Sequence, residues 1–346
     1  MSKKLKFLSF IFLITIFSCT LPTEIIEPKI NGVKISKEFK NITDMVVTDN
    51  EDIYIVDNNV IKKIDSKGEI TIIAGNEKEE INTENIDGDI KTAKFGKINK
   101  IQYVEKEKTV YFEDYFLNQN KTLIRRININ KTVETILKED YIYYNYLGIT
   151  KDGYIYKLNS NSCKEGHDCD FIIQKLNTEL KEIKSESLNI VSGIIFKIIE
   201  TSESDFYFLK SYSFTNLSRA MFNRKTFYTE LILKLDSNKI LRNKIVKLSG
   251  IYEKDDFENI LLDSKDNLYI KLNLKENLNN IIYKISKDDI DKQIILPDTE
   301  SFSLEKKNIV GYIPKNLYIN SIDEKKKMVY AFNKNVIYKI KIGENK

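Results

Sequence analysis

The chain has 346 residues, of which 42% are hydrophobic and 31% are charged. This apolar content, with only four prolines, is typical of a globular protein and excludes a disordered chain. The 55 basic and 51 acidic residues nearly cancel, so the net charge gives no general reason to bind nucleic acid.

The first predicted element is an export signal. Lysines at positions 3, 4 and 6 precede an apolar run from Phe7 to Phe17, which is shorter than the about 20 residues that a membrane span needs. The run Ile16-Phe17-Ser18-Cys19 resembles a bacterial lipobox, although Phe17 departs from the small or aliphatic residue usual in that slot. An ordinary signal peptide cut nearby is the alternative, and both interpretations predict export from the cytoplasm.

This interpretation divides the chain into three parts. Residues 1–18 form the signal peptide, residues 19–28 form a tether whose Cys19 carries the lipid, and residues 29–346 form a single domain. A thioether-linked diacylglycerol supplies two acyl chains, which is enough for stable attachment. We therefore expect a protein held by lipid on a membrane of the bacterial cell envelope, facing the periplasm or the exterior.

The domain repeats one pattern six times. An aliphatic or aromatic residue followed by Tyr precedes, after a variable gap, the sequence Ile-x-basic-aliphatic. The six tyrosines are Tyr54, Tyr111, Tyr156, Tyr207, Tyr269 and Tyr330, and the second halves are "IKKI", "IRRI", "IQKL", "ILKL", "IYKI" and "IYKI". A sequence of this length alone would suggest two domains, but a sixfold repeat argues for one.

Each half of the pattern predicts a β-strand, because apolar and polar residues alternate and Asp, Asn, Gly and Lys fill the turns. A further apolar run precedes each pair and another follows several of them, which gives four strands per unit. The sequence therefore predicts an all-β fold, a six-bladed β-propeller with four-stranded antiparallel blades. The intervals between tyrosines are 57, 45, 51, 62 and 61 residues, and the excess over about 40–50 residues per blade belongs to loops.

The ring of blades is predicted to close through the N-terminal end of the domain. The last repeat ends six residues before the C-terminus, which leaves blade six one strand short. The segment "PKINGVKIS", residues 28–36, is placed to supply that strand. We expect Val33 to Ile35 to pair beside Val336 to Ile342.

Blades one and two resemble the NHL-repeat propellers. The segment "DIYIVDNNVIKKIDSKGEITIIAG", residues 52–75, follows that family's order of strands and turns, and "IDGDIKTAKFGKINKI", residues 86–101, is similar to its linker into the next blade. The resemblance covers residues 41–137 and fades afterwards, where the glycines are lost. It implies a propeller that binds through one face, but no particular function, because NHL propellers serve many roles.

The segment "SCKEGHDC", residues 162–169, gathers two of the three cysteines and the one histidine, His167. Zinc needs about four nitrogen or sulfur ligands, and this segment offers three with no other histidine in the chain. After export, a disulfide between Cys163 and Cys169 is the favoured interpretation; a metal site and free thiols are the alternatives. The segment lies between the second and third strands of blade three, in a predicted hairpin loop.

No catalytic residues, cofactor or metal site are predicted. A nucleophilic triad could use only His167, and the zinc-dependent lyases related to the NHL family would need several histidines. The alternative to a binding protein is a hydrolase of lactonase type with a metal in the central channel. Asp44, Asn99 and Asn259, near the starts of inner strands, could in principle bind Ca²⁺ there.

Blade four carries an insertion, "KSYSFTNLSRAMFNRKTFYTE", residues 210–230. Tyr207 and Lys234 are 27 residues apart, against nine for the equivalent pairs in blades one and six. Aromatic and arginine side chains dominate binding hot spots, so possible partner-binding residues are Tyr212, Phe214, Arg219, Phe222, Arg224 and Tyr228. The alternative is a long hairpin whose aromatic residues pack on their own blade.

The order of strands in a blade places this insertion, the cysteine loop and the linker "DGD", residues 87–89, on one face of the disc. We therefore predict a monomeric, non-catalytic binding or scaffold propeller that recognises protein or glycan through that face, with no role for nucleic acid.

Overall fold

The computed structural model describes residues 32–34, 39–77, 85–140, 146–163, 168–191, 194–200, 206–214, 226–233, 235–236, 239–240, 245–249, 260–272, 279–288 and 308–343. Over these residues the chain is almost entirely β-strand, with one short 3₁₀ helix at Leu117–Gln119. Within this part of the chain, no helix combines the length and apolar character of a membrane span.

The strands form six antiparallel sheets of four or five strands in the described residues, which we number in chain order. Each sheet contains one copy of the tyrosine repeat. Sheet one consists of β2 (Ile42–Val47), β3 (Ile53–Asp57), β4 (Val60–Ile64) and β5 (Ile70–Ala74). Sheet two consists of β6 (Gly88–Asp89), β7 (Lys97–Val104), β8 (Thr109–Phe116), β9 (Lys121–Ile127) and β10 (Thr132–Asp140). Sheet three consists of β11 (Tyr146–Ile149), β12 (Ile155–Cys163), β13 (Asp168–Leu176) and β14 (Glu182–Val191).

The remaining sheets repeat this plan. Sheet four consists of β15 (Ile194–Glu200), β16 (Phe206–Phe214), β17 (Thr226–Leu233) and β20 (Ile245–Ser249), with a separate hairpin of β18 (Leu235–Asp236) and β19 (Lys239–Ile240). Sheet five consists of β21 (Ile260–Leu262), β22 (Leu268–Leu272), β23 (Asn279–Ile285) and β24 (Ile309–Pro314). Sheet six consists of β25 (Tyr318–Asp323), β26 (Met328–Phe332), β27 (Ile337–Lys341) and β1 (Gly32–Lys34).

Sheets one to three pack face to face in succession, and so do sheets five, six and one. Val56 of sheet one lies in one buried cluster with Phe112 of sheet two, and Tyr111 of sheet two shares another with Ile155 of sheet three. Further clusters join sheet five to sheet six and sheet six to sheet one. Four-stranded meanders stacked in chain order on their broad faces are the arrangement of a propeller-type fold.

The tyrosine repeat corresponds to a cross-strand pair within each blade-like sheet. Tyr54 lies opposite Lys63 on the neighbouring strand, and Tyr111 lies opposite Arg126. Lysine Nζ atoms lie 5.8, 5.5, 5.5 and 5.4 Å from the ring centroids of Tyr54, Tyr156, Tyr269 and Tyr330. The repeat therefore conserves a contact between a cation and an aromatic ring, which also shields the tyrosine from solvent. In sheet four the register differs, and Tyr207 lies opposite Leu233.

One face of the stacked sheets, which we call the turn face, carries the turns from first to second strand and from third to fourth. Eight of these turns share one design in the described residues. The backbone N–H of the fourth residue donates to the carbonyl of the first, and that fourth residue has positive φ. These fourth residues are Glu51, Gly68, Lys108, Lys131, Gly153, Leu180, Asp266 and Lys327.

The opposite face, which we call the loop face, carries the connections from second to third strand and from each sheet to the next. This follows from the antiparallel order of the strands. The two ends of the described chain meet in sheet six, where β1 pairs with β27 and Val33 lies opposite Lys339. This is the pairing that the repeat predicts, although Ile35 lies outside the described residues.

Candidate functional site

The sheets differ in height on the loop face. The second strand continues three residues past Tyr54 in sheet one and two past Tyr330 in sheet six, but seven past both Tyr156 and Tyr207. At about 3.4 Å per residue, the four additional residues make sheets three and four project about 14 Å beyond sheet one. We call this projection the crest, and it comprises residues 160–163, 168–171 and 188–191 of sheet three with residues 211–214 and 226–229 of sheet four.

The two predicted disulfide cysteines lie at the tip of the crest. Cys163 at the end of β12 lies directly opposite Cys169 on β13. Residues directly opposite in an antiparallel pair have Cα atoms about 4.5–5.5 Å apart, which is within the span of a disulfide. His167 and the rest of the loop between them lie outside the described residues.

We predict that Cys163 and Cys169 form a disulfide under oxidising conditions, because the strand register places them directly opposite each other. Intact-mass measurement after alkylation, with and without reductant, should show two modified cysteines only after reduction. In a Cys163→Ser variant, Cys169 should be alkylated without reductant. Alkylation of both cysteines in the unreduced exported protein would contradict the bridge.

The predicted partner-binding residues fall partly on the crest. Tyr212 on β16 lies opposite Tyr228 on β17, and Phe214 lies opposite Thr226. The flanks of the blade-four insertion therefore continue the hairpin of β16 and β17 as far as Phe214 and Thr226. Arg219, Phe222 and Arg224 lie outside the described residues.

The "DGD" linker runs along the outer edge of sheet two and not on the loop face, because Asp89 lies opposite Thr132, just after the third-to-fourth turn. Its first aspartate has a structural role. Asp87 Oδ1 accepts a hydrogen bond from Arg125 Nη2 at 2.8 Å, and Asp87 Oδ2 accepts one from the backbone N–H of Thr135 at 2.8 Å. Gly88 and Asp89 form β6, which pairs with the outer strand β10. The linker is thus fastened to sheet two.

Arg125 makes most of the hydrogen bonds that hold the linker, and its side chain is fully buried. Its guanidinium donates to Asp114 Oδ2 and to the carbonyl oxygens of Ile86 and Lys94, each at 2.8 Å. It also lies 5.0 Å from the ring centroid of Phe95. Burial raises the pKa of the Asp114 carboxyl, and the positive charge of Arg125 opposes that rise.

Sheet one contains a related but weaker arrangement. Lys62, which occupies the position of Arg125 in the repeat, is 6% exposed and donates to Asp57 Oδ2 at 2.8 Å. Its Nζ also pairs with Glu77, and it lies 5.7 Å from the ring centroid of Phe39. Neither buried cation is predicted from the sequence, although each is the second residue of its repeat half, "IKKI" or "IRRI".

The residues suggested for a channel metal have other partners. Asp44 Oδ2 accepts the backbone N–H of Ile101 at 2.9 Å, and Asp44 Oδ1 accepts Asn320 Nδ2 at 3.1 Å. Asp44 therefore ties the first strands of sheets six, one and two together. Asn99 Nδ2 donates to Glu113 Oε1 at 3.4 Å, and Asn259 lies outside the described residues. Within the described ranges, no three His, Cys, Asp or Glu side chains are grouped as metal ligands.

On the turn face, Tyr111 shows how strongly the repeat buries its tyrosine. Tyr111 is 0% exposed, and its hydroxyl donates to Glu107 Oε2. Burial first, and then the bond to Glu107, raise the pKa of Tyr111 to about 12. The polar groups of this face thus support the packing of the sheets.

No protein-family model matches the chain, and no curated protein matches its sequence. Among solved structures, a catalytically inactive virginiamycin B lyase from Staphylococcus aureus with quinupristin has 12% identity and a TM-score of 0.48, over 90% of this chain and 99% of that one. Hydrazine synthase of Kuenenia stuttgartiensis has 10% identity and a TM-score of 0.49, over 92% and 99%. The PQQ domain of pyranose dehydrogenase from Coprinopsis cinerea has 6% identity and a TM-score of 0.46, over 91% and 98%. All three TM-scores lie below 0.5. Strand order and sheet packing are therefore the features that identify the fold as propeller-type.

Proposed function

We propose that the mature chain is an NHL-like, six-bladed propeller that acts as a non-catalytic binding or scaffold protein at the bacterial cell envelope. In this proposal β1 closes the ring and Cys19 carries the lipid anchor. The tether of residues 19–28 reaches only about 30 Å, which keeps the disc close to the membrane. The partner is a protein or a glycan.

The asymmetry of the two faces is the observation that carries this proposal. The turn face repeats one four-residue turn, whereas the loop face rises about 14 Å at sheets three and four relative to sheet one. In repeat proteins, departures from the repeat concentrate on the face that binds. The carboxylate of Asp44 is engaged between strands, which supports binding over metal-dependent chemistry at that position.

Cross-linking on intact cells tests the proposal. In a shortened variant, an Asn-Gly dipeptide replaces residues 215–225 between the paired residues Phe214 and Thr226, since two-residue turns suit such a pair. We expect the full chain to fractionate with membranes and to cross-link to a defined protein or glycan. The shortened variant should keep its circular dichroism spectrum and lose that adduct, whereas Cys19→Ser should release the protein from membranes. Identical adducts from the full and shortened chains would contradict the proposal.

A further inference from the structure

Exposed aliphatic side chains concentrate at the turn face. In the part of the chain that the structure describes, the exposed large hydrophobic residues are Ile70, Ile72, Ile86, Ile129, Leu180 and Ile183. Four of these lie in a turn from third to fourth strand, or within two residues of one, and are 38–80% exposed. We call these four residues the aliphatic rim, and they are Ile70, Ile129, Leu180 and Ile183.

The aliphatic rim extends over three consecutive sheets. Ile70 begins β5 of sheet one, Ile129 lies in the turn before β10 of sheet two, and Leu180 and Ile183 flank the start of β14 of sheet three. The rim thus consists of separate points along one edge of the turn face. A protein partner requires a contiguous patch with aromatic or arginine anchors, and the rim contains neither residue type. A bilayer is flat, so it can contact several separate points at once.

The N-terminal end of the domain joins the disc at the turn face. Gly32, at the start of β1, lies opposite Ile340 on β27. Two residues later, the Ile342 N–H donates to the carbonyl of Lys327, at 2.8 Å, in the turn between β25 and β26. Positions 19 and 32 are 13 residues apart, which is a reach of at most about 45 Å. A lipid on Cys19 would therefore hold the disc from its turn side, at the sheet that packs against sheet one.

The charges beside the aliphatic rim nearly cancel. The turn segments 65–69, 128–131 and 177–182 contain three lysines and four acidic residues. One of these lysines, Lys181, pairs with Glu179 at 2.8 Å, and both side chains are exposed. Attraction to anionic lipid requires clusters of basic residues, so these segments favour an apolar contact that does not depend on lipid charge.

We infer that the aliphatic rim rests on the bilayer that holds Cys19, with its side chains at the boundary between headgroups and acyl chains. This inference rests on the proposed function, because the lipid anchor brings the turn face to the membrane. It adds an orientation, in which the loop face and its crest point away from the membrane and toward a partner.

Tryptophan fluorescence tests the orientation, because the native chain contains no tryptophan. Ile129→Trp places a single indole on the rim, and Asn118→Trp places one on the loop face of the same sheet, between β8 and β9. The lipidated full chain is added to phosphatidylcholine vesicles with brominated acyl chains, which quench an indole that they contact. We expect Ile129→Trp to lose at least about half of its emission, since interfacial side chains reach about 5–10 Å into the boundary. Asn118→Trp should keep the emission of an indole in water.

The contact of the native isoleucine is measured by vesicle sedimentation of the Cys19→Ser chain, which has no anchor. This chain should bind phosphatidylcholine vesicles at millimolar lipid. Ile129→Asn in the same chain should lower the partition coefficient about 10-fold, the factor expected for one isoleucine side chain removed from water. Ile86→Asn is the matched control and should change nothing, because Ile86 is exposed but lies three residues before Asp89, about 10 Å farther from the turn face. Equal melting temperatures of both variants would show that they remain folded.

The other outcomes separate this inference from the proposed function. Quenching at position 118 and not at 129 would reverse the orientation, and quenching only in phosphatidylglycerol vesicles would replace the apolar contact by an electrostatic one. Quenching at neither position, no vesicle binding by the Cys19→Ser chain, or equal effects of Ile129→Asn and Ile86→Asn would refute the rim contact. In all these cases the anchored binding protein still stands. A native chain that does not sediment with vesicles would overturn the anchor and the inference together.

Discussion

Arg125→Ala is expected to lower the free energy of unfolding by about 3–5 kcal/mol, because removal of one partner leaves a buried charge uncompensated. Asp114, its buried partner, would keep a carboxylate with no cation. Asp87 and the linker carbonyl oxygens would lose their donor at the same time. Urea unfolding followed by circular dichroism measures the loss.

The next residue provides a matched control. Arg126 pairs with Glu134 at 2.9 Å, but their side chains are 34% and 43% exposed. Arg126→Ala should therefore cost about 1 kcal/mol or less, as surface ion pairs do. Equal decreases in the free energy of unfolding for Arg125→Ala and Arg126→Ala would show that the buried hydrogen bonds of Arg125 do not stabilise the fold.

The pH dependence of the Arg125→Ala variant gives a second check. Burial already raises the pKa of Asp114, and the Arg125→Ala change removes the positive charge that opposes this rise. A carboxyl whose pKa is higher in the folded than in the unfolded state favours folding at low pH, and this contribution is lost as pH rises through the folded pKa. The deficit relative to the native chain should thus be smaller near about pH 4 than near about pH 7.

Removal of β1 is the second change with a large expected effect. A chain that starts at residue 37 loses the three-residue pairing of β1 with β27, and the loss of its hydrogen bonds should cost about 2–4 kcal/mol relative to a chain that starts at residue 29. The uncovered edge of β27 should also promote self-association. Urea unfolding and size-exclusion chromatography report the two effects.

Cysteine pairs test the same closure without truncation. Lys34 and Tyr338 are directly opposite, so Lys34→Cys with Tyr338→Cys should form a disulfide under oxidation. Gly32→Cys with Tyr338→Cys, displaced by two residues, should form it poorly. Equal bridging in both variants would contradict the register, and equal stability of the two truncated chains would contradict closure by β1.

The sequence predicted the parts of this fold that depend on local pattern. Alternation around Tyr54 and Tyr330 indicated strands, and six copies of the repeat correspond to the six large sheets of the described chain. The position of β1 followed from the missing strand of the last repeat. The strands depend on short-range alternation, and the pairing of β1 with β27 depends on the number of strands per repeat. A single sequence displays both.

Long-range partners of polar side chains were the part that could not be predicted. Arg125 reads as another surface cation of the repeat, and its burial depends on Asp87, 38 residues away, and on the linker carbonyl oxygens. Asp44 reads as a possible metal ligand, but Asn320 reaches it from 276 residues away. The height of the crest was also missed, because loop length alone does not show how far paired strands continue.

The repeated turns of the turn face imply that the thermal stability of this protein can be raised by substitution. Glycine adopts positive φ at little steric cost, whereas other L-residues there are strained by about 1 kcal/mol or more. Six of the eight turns place Glu, Lys, Asp or Leu at that position, in a chain with only 12 glycines. Replacement of Lys108, Lys131, Leu180 or Lys327 by glycine would relieve this backbone strain. Adaptation to a higher temperature could therefore begin at these four turn positions, which lie on the face opposite the crest.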